Sequence, residues 1–210
     1  LLYIHPDHFP LDILSCMKRD SRIVPYFDIP FQHASEKILR AMNRKGTSNQ
    51  YLSLLETIRS QLPDAVIRST FLVGFPGETE EDFQELLNFQ KQAQFDWLGA
   101  FEYSREENTP AYDMKPRVAK KVAQHRRQQI EAVQQPISEQ RLRRYMGTEQ
   151  TILIEETITD NDLCIGRAFM QAPEVDGAVV LTGCTAKPGS VVTARIVAIR
   201  CIDLEGTVVS

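Results

Sequence analysis

A chain of 210 residues, 42% hydrophobic and 25% charged, has the composition of an ordinary globular protein and is long enough for one or two domains with cores of their own. It holds no run of about 18 apolar residues and no visible signal peptide, so no membrane span is expected and the cytoplasm is the expected location. The net charge of −4 is unevenly spread: from Tyr145 onward four basic residues stand against nine acidic ones, a local charge of −5.

The chain opens LLYIHPDHFP, without an initiator Met and already inside an apolar run, so its true start is expected upstream. Residues 1–4 read as a buried strand. Pro10 suits the first turn of a helix that places Leu11, Leu14 and Met17 on one face. IVPYFDIPF (23–31) is a short strand limited by its prolines. Ser35 is placed to cap a helix that runs to Gly46, and Thr47 with Gln50 forms a capping box for the next one. A strand over 65–75 and a helix capped by Thr79 follow, then a strand over 95–104. Strand and helix alternate here as in a parallel β/α sheet, whose ligands bind at the carboxyl ends of the strands. Only about four such units are present, too few for a closed barrel.

From Lys115 to Met146 the chain reads as long, basic and helical, with a kink or break expected at Pro136. Its arginines Arg126, Arg127, Arg141, Arg143 and Arg144 could meet phosphates, or could form a face that holds the acidic tail. Beyond Gly147, five or so short strands separated by the turns TDND, PEVDG and AKPGS predict a small OB-like barrel. The expected division is 1–114, a linking helical segment 115–146, and 147–210. Cys16, Cys164, Cys184 and Cys201 have no metal-ligand spacing and read as four reduced, mostly buried thiols.

The stretch most suggestive of a ligand is GFPGE, residues 74–78. Gly74 and Gly77 at a strand end let the backbone come close to a ligand, and Glu78 opens a helix whose N–H groups favour polar or anionic atoms. The spacing excludes a P-loop and fits a dinucleotide fingerprint poorly, so a simple capped βα turn stays open beside the ligand shelf. Gln32 and His33 follow the short strand and point to opposite sides; His33 reads either as a structural histidine or as part of the site. Glu102 ends another strand, and Glu106 with Glu107 reads as a solvated pair.

The stretches LLYIHP, FDIPFQHAS, ILRAMNRKG, STFLVGFPGETEEDF and GAFEYSREENTPAYDM, in this order, resemble the second half of a radical S-adenosylmethionine methylthiotransferase. GRAFMQAPEVDGAVVL and KPGSVVTARIVAIRCIDLEG resemble a TRAM domain. The implied fold class is α/β: a partial radical-SAM β/α barrel followed by a small all-β, OB-like TRAM domain. One branch of the family modifies a tRNA adenosine; the other modifies the β-carbon of an aspartate in small-subunit ribosomal protein twelve, and these motifs look like the second branch. Asn108 stands where the family usually has Gly, and Asn tolerates the positive φ of such a turn.

The resemblance implies S-adenosylmethionine and two 4Fe–4S clusters as cofactors of the intact parent. The cysteines of a C-x-x-x-C-x-x-C loop are missing from this sequence, so this chain is expected to bind no cluster and to be inactive alone. It also implies that Gln32, His33, Arg68, Gly74, Gly77, Glu78 and Glu102 line the S-adenosylmethionine pocket, Arg68 holding the methionine carboxylate only if it points inward. The acidic TRAM domain is expected to dock the basic ribosomal protein rather than tRNA, whose binding rests on phosphate neutralisation. A non-catalytic binding module is the other class left open.

Overall fold

The computed structural model describes residues 1–158 and 162–209; nearly all of the TDND turn lies outside them. The chain forms two compact units, Leu1–Ile137 and Ser138–Ser210.

The first unit is built on a parallel sheet in the order β1-β2-β3, with β1 at Tyr26–Asp28, β2 at Val66–Val73 and β3 at Trp97–Glu102. Helices α1 (Asp12–Arg19), α2 (Glu36–Ala41), α3 (Ser48–Gln61), α4 (Glu80–Ala93) and α5 (Lys120–Leu142) accompany it. Alternation decides which face is covered. Phe27, Ile29 and Phe31 on and after β1, and Ile67, Phe71 and Val73 of β2, enter a core shared with Leu14, Leu55, Ile58, Phe83, Leu86 and Ile130 of the helices. Phe31, Tyr51, Phe71, Phe89 and Phe95 form its aromatic centre, with ring centroids 4.7 to 6.3 Å apart. The intervening residues Arg68, Thr70 and Leu72 lie on the face turned away from that core, half-buried. Phe101, in register with Leu72 on β3, is 58% exposed there.

Several local readings hold. Both capping boxes form, Thr47 with Gln50 and Thr79 with Asp82. Asn108 takes φ 63°, the left-handed turn expected of it. Others need correction. Residues 1–4 are not a buried strand: Leu1, Leu2 and Tyr3 are exposed and the backbone turns at Tyr3 (φ 58°), although backbone hydrogen bonds of Leu1 and Ile4 join the segment to Asp28. Leu11 is exposed, so the buried face of α1 is Leu14 and Met17. Helix α2 stops at Ala41 rather than Gly46, because Asn43 already takes a left-handed φ of 58°. Ser35 precedes α2 without capping it; its hydroxyl donates to Asp82 instead. Helix α5 continues through Pro136.

The second unit is a closed five-stranded barrel in the order β4-β5-β6-β8-β7. Its strands are β4 (Glu149–Ile158), β5 (Leu163–Arg167), β6 (Val179–Thr182), β7 (Val191–Arg200) and β8 (Asp203–Val208). The last predicted segment divides into β7 and β8 at Cys201, which takes φ 58°. Irregular pairing at Ile154/Glu156 and Ile196/Ala198 lets the sheet bend on itself. The cysteines are not four free thiols: Cys164 and Cys184 form a disulfide, Cys16 is half-buried and Cys201 is exposed. The barrel brings two cysteines 20 residues apart to a Cα separation of 5.5 Å, which spacing alone does not reveal. Among the described residues no helix is long and apolar enough to cross a membrane.

Phe89 touches four other rings of the core, so Phe89→Ala is expected to cost about 3–5 kcal/mol in a urea unfolding titration. Phe101→Ala, on the exposed face, is expected to stay within about 0.5 kcal/mol.

Candidate functional site at the carboxyl ends of the parallel strands

The β2–α4 turn is organised by one buried carboxylate. Glu78 accepts through one oxygen from the N–H groups of Gly74 and Phe75, the latter at 3.0 Å, and through the other from Arg126 of α5 at 2.9 Å. The Glu78 side chain is fully buried and Arg126 nearly so. Burial pushes the Glu78 carboxyl above its ordinary range, and Arg126 with the two backbone N–H groups opposes that rise. The remaining N–H groups of the turn are also engaged: Gly77 donates to the carbonyl of Pro116, Glu78 to that of Phe75, and Thr79 to Asp82. The turn therefore offers a ligand its shape but few free backbone donors. This corrects the expectation that its N–H groups await an anion: the acidic residues at the helix start have taken them.

The two glycines differ. Gly74 has φ +78°, and a Cβ placed on it would lie 2.5 Å from the Cβ of Ala123, so its close approach is to α5. Gly77 has φ +85° with nothing within 4 Å of a Cβ, so it is there for its backbone conformation.

His33 lies behind this turn, fully buried. Its Nδ1 accepts from the N–H of Ser35 at 3.0 Å and its Nε2 has no partner. Burial lowers its pKa to about 3. Nearby, burial would raise the Asp82 carboxyl, but hydrogen bonds from Lys37, Ser35 and Thr79 outweigh it and hold the group well below the usual carboxylate range. Gln32, four residues beyond β1, has φ 67° and is bridged to β2 by backbone bonds to Thr70 and Leu72. Arg68 faces away from the core, 3.6 Å from Asp28. Burial raises the Asp28 carboxyl and Arg68 opposes it.

Glu102 pairs with Arg127 at 3.1 Å and lines a cleft of about 430 Å³ together with Gly74, Pro76, Tyr103, Arg105, Arg117 and Lys120. The seven sequence-predicted residues therefore fall in three neighbourhoods. Gln32 and Arg68 belong to the strand ends and the open sheet face, His33 and Glu78 to the buried polar region, and Gly74 and Glu102 to the cleft, while Gly77 is in the turn outside its lining. Sequence reasoning missed the buried role of Arg126, placed among phosphate-facing or exposed arginines, and the amides Gln90 and Gln134, which hydrogen-bond in the interior between α4 and α5. An arginine followed four residues later by an apolar core residue, Ile130, was the available signal. Among the described residues no group of three or more His, Cys, Asp or Glu is placed to hold a metal ion.

Gly77→Ala is expected to cost about 1–2 kcal/mol of unfolding free energy from its backbone alone. Gly74→Ala should cost more, about 3 kcal/mol, because α5 must also move. The folded protein keeps His33 neutral to a pH of about 3, whereas the unfolded chain protonates it near 6.5. Stability from this residue is thus full above 6.5 and declines as the pH falls towards 3, by on the order of a few kcal/mol across that window. Urea unfolding at pH 7 and pH 5 should show a larger loss for the native chain than for His33→Gln.

Residues 11–89 match the radical SAM superfamily and residues 146–209 match the TRAM domain. The ribosomal protein uS12 methylthiotransferase RimO of Treponema denticola is 50% identical over the whole of this chain, which covers 49% of that protein. The protein of the same name from Geobacter sulfurreducens is 40% identical over the whole chain, with 47% of its own length covered. The chain spans about half the length of these curated relatives. Among solved structures, coproporphyrinogen III oxidase (HemN) from Escherichia coli, a radical SAM enzyme, superposes with a TM-score of 0.51 over 93% of this chain and 45% of that one at 15% identity, a likeness of fold. Two family regions in this order, with full-length identity of up to 50%, match the chain to the ribosomal protein uS12 methylthiotransferases within the radical SAM superfamily.

Proposed function

We propose that this chain is part of a radical S-adenosylmethionine methylthiotransferase that attaches a methylthio group to the β-carbon of an aspartate in ribosomal protein uS12. The observation that carries the reading is the 50% identity to a uS12 methylthiotransferase over an alignment that covers the whole chain. S-adenosylmethionine and two 4Fe–4S clusters of the parent supply the radical, sulfur and methyl chemistry, while the protein binds, orients and shields.

The residues of this chain suit a supporting wall for S-adenosylmethionine. Gln32 and Arg68 stand by the open sheet face, where the Arg68 guanidinium is oriented by Asp28 and can hold a carboxylate. Gly74 and Gly77 shape the turn after β2, and Gly74 shares a cleft with Glu102. Glu78 and His33 act from behind: one fixes the turn to α5, the other keeps a neutral ring against the loop after β1.

The barrel unit is read as the docking lobe for the basic ribosomal protein. From Tyr145 onward, on the strands and their loops, three of the four basic side chains are occupied by acids of the same stretch: Arg167 by Glu155, Arg195 by Glu149 and Arg200 by Glu205. Little cationic surface is left for phosphates, which supports a protein partner over tRNA. Fluorescence anisotropy with labelled uS12 and labelled tRNA at two salt concentrations tests this. Binding of uS12 is expected, weakened about threefold by Glu156→Lys through a slower on-rate. Tighter and steeply salt-dependent binding of tRNA would overturn it.

A further inference from the structure

The cleft beyond β3 carries a charge pattern that the cofactor reading leaves unused. Arg105, Arg117 and Lys120 line it, and its one carboxylate, Glu102, is already engaged by Arg127. Arg105 is held ready. Its guanidinium lies 3.5 Å from the centre of the Tyr112 ring, and its Nε donates to the Tyr112 carbonyl at 2.9 Å. That anchoring leaves the outer N–H groups of the fork; the acid beside them, Asp113, stands 4.0 Å away with its side chain 92% exposed. The hydroxyl of Tyr103, another lining residue, is buried and has no hydrogen-bond partner, while its ring packs edge-on against Phe75. An orphaned hydroxyl and a stacked, partly committed guanidinium thus line one cleft, a set of donors in want of an acceptor.

We propose that this cleft is the carboxylate subsite for the substrate aspartate, with Arg105 and the Tyr103 hydroxyl as its donors and Arg117 and Lys120 supplying attraction. The inference rests on the reading above that an aspartate is the acceptor. Reaction at the β-carbon requires that carbon to be held still, and the carboxylate is attached directly to it. A planar guanidinium grips a carboxylate with two parallel bonds and so fixes its rotation. The guanidinium disfavours asparagine, whose NH₂ would meet N–H groups rather than lone pairs.

The test is titration of the full 210-residue chain, observed by NMR at the Arg105 Nε–H and the Tyr103 ring, with four probes: N-acetyl-aspartate methylamide, N-acetyl-asparagine methylamide, methionine and adenosine monophosphate. The aspartate probe is expected to shift both signals and to bind about tenfold more tightly than the asparagine probe. Arg105→Gln, with an unchanged core-methyl spectrum, should lose that preference, and Arg105→Lys should recover part of it. Equal binding of the two amides, or an unaltered Arg105→Gln, overturns the proposal. Preference for methionine or for the nucleotide overturns it too, by assigning the cleft to the cofactor or to a phosphate. If the chain binds uS12 but not the aspartate probe, the subsite alone fails. If it binds the probe but not uS12, the carboxylate site stands and the reading of the partner fails.

Discussion

The buried Glu78 carboxylate is the constraint on which the first unit turns. A charge sequestered from water must be matched, and here Gly74, Phe75 and Arg126 match it. One side chain thereby closes the turn after β2 and fastens it to a helix 48 residues further on. Removal of the arginine would leave an unpaired buried anion, so turn and helix keep or lose their places together. Together with the bonds of Gly77, Glu78 and Thr79 to Pro116, Phe75 and Asp82, these bonds leave few of the N–H groups that make similar turns anion-binding. Recognition of ligands is consequently left to side chains around the turn and to its contour.

The parallel sheet has unequal faces. Parallel strands are ordinarily covered on both sides. Here one face is filled by a shared aromatic core, while the other presents Arg68, Thr70, Leu72 and a largely exposed Phe101. A mixed polar and apolar surface at the carboxyl ends of parallel strands is where ligands of such folds sit. The relatives carry about as much chain again as the part matched here.

Charge is sorted between the units rather than averaged. The barrel is acidic and neutralises most of its own arginines internally, whereas the cleft after β3 gathers cations around one already paired carboxylate.

Period and turn chemistry were enough to read the strand–helix alternation, both capping boxes, the left-handed turn at Asn108 and the five barrel strands, because each depends on residues within a few positions of one another. The motifs, residues that lie in short runs, likewise pointed to the family of the relatives that are 40% and 50% identical to the chain. What the linear order concealed are the pairings across long separations. Glu78 meets Arg126, Ser35 meets Asp82 rather than capping its own helix, Cys164 meets Cys184, and Gly74 makes room for Ala123. A carboxylate before a helix has the same local pattern whether it awaits a ligand or is satisfied from within. Only the packing of α5 against the turn decides between them, because it brings the compensating charge that lets Glu78 be buried.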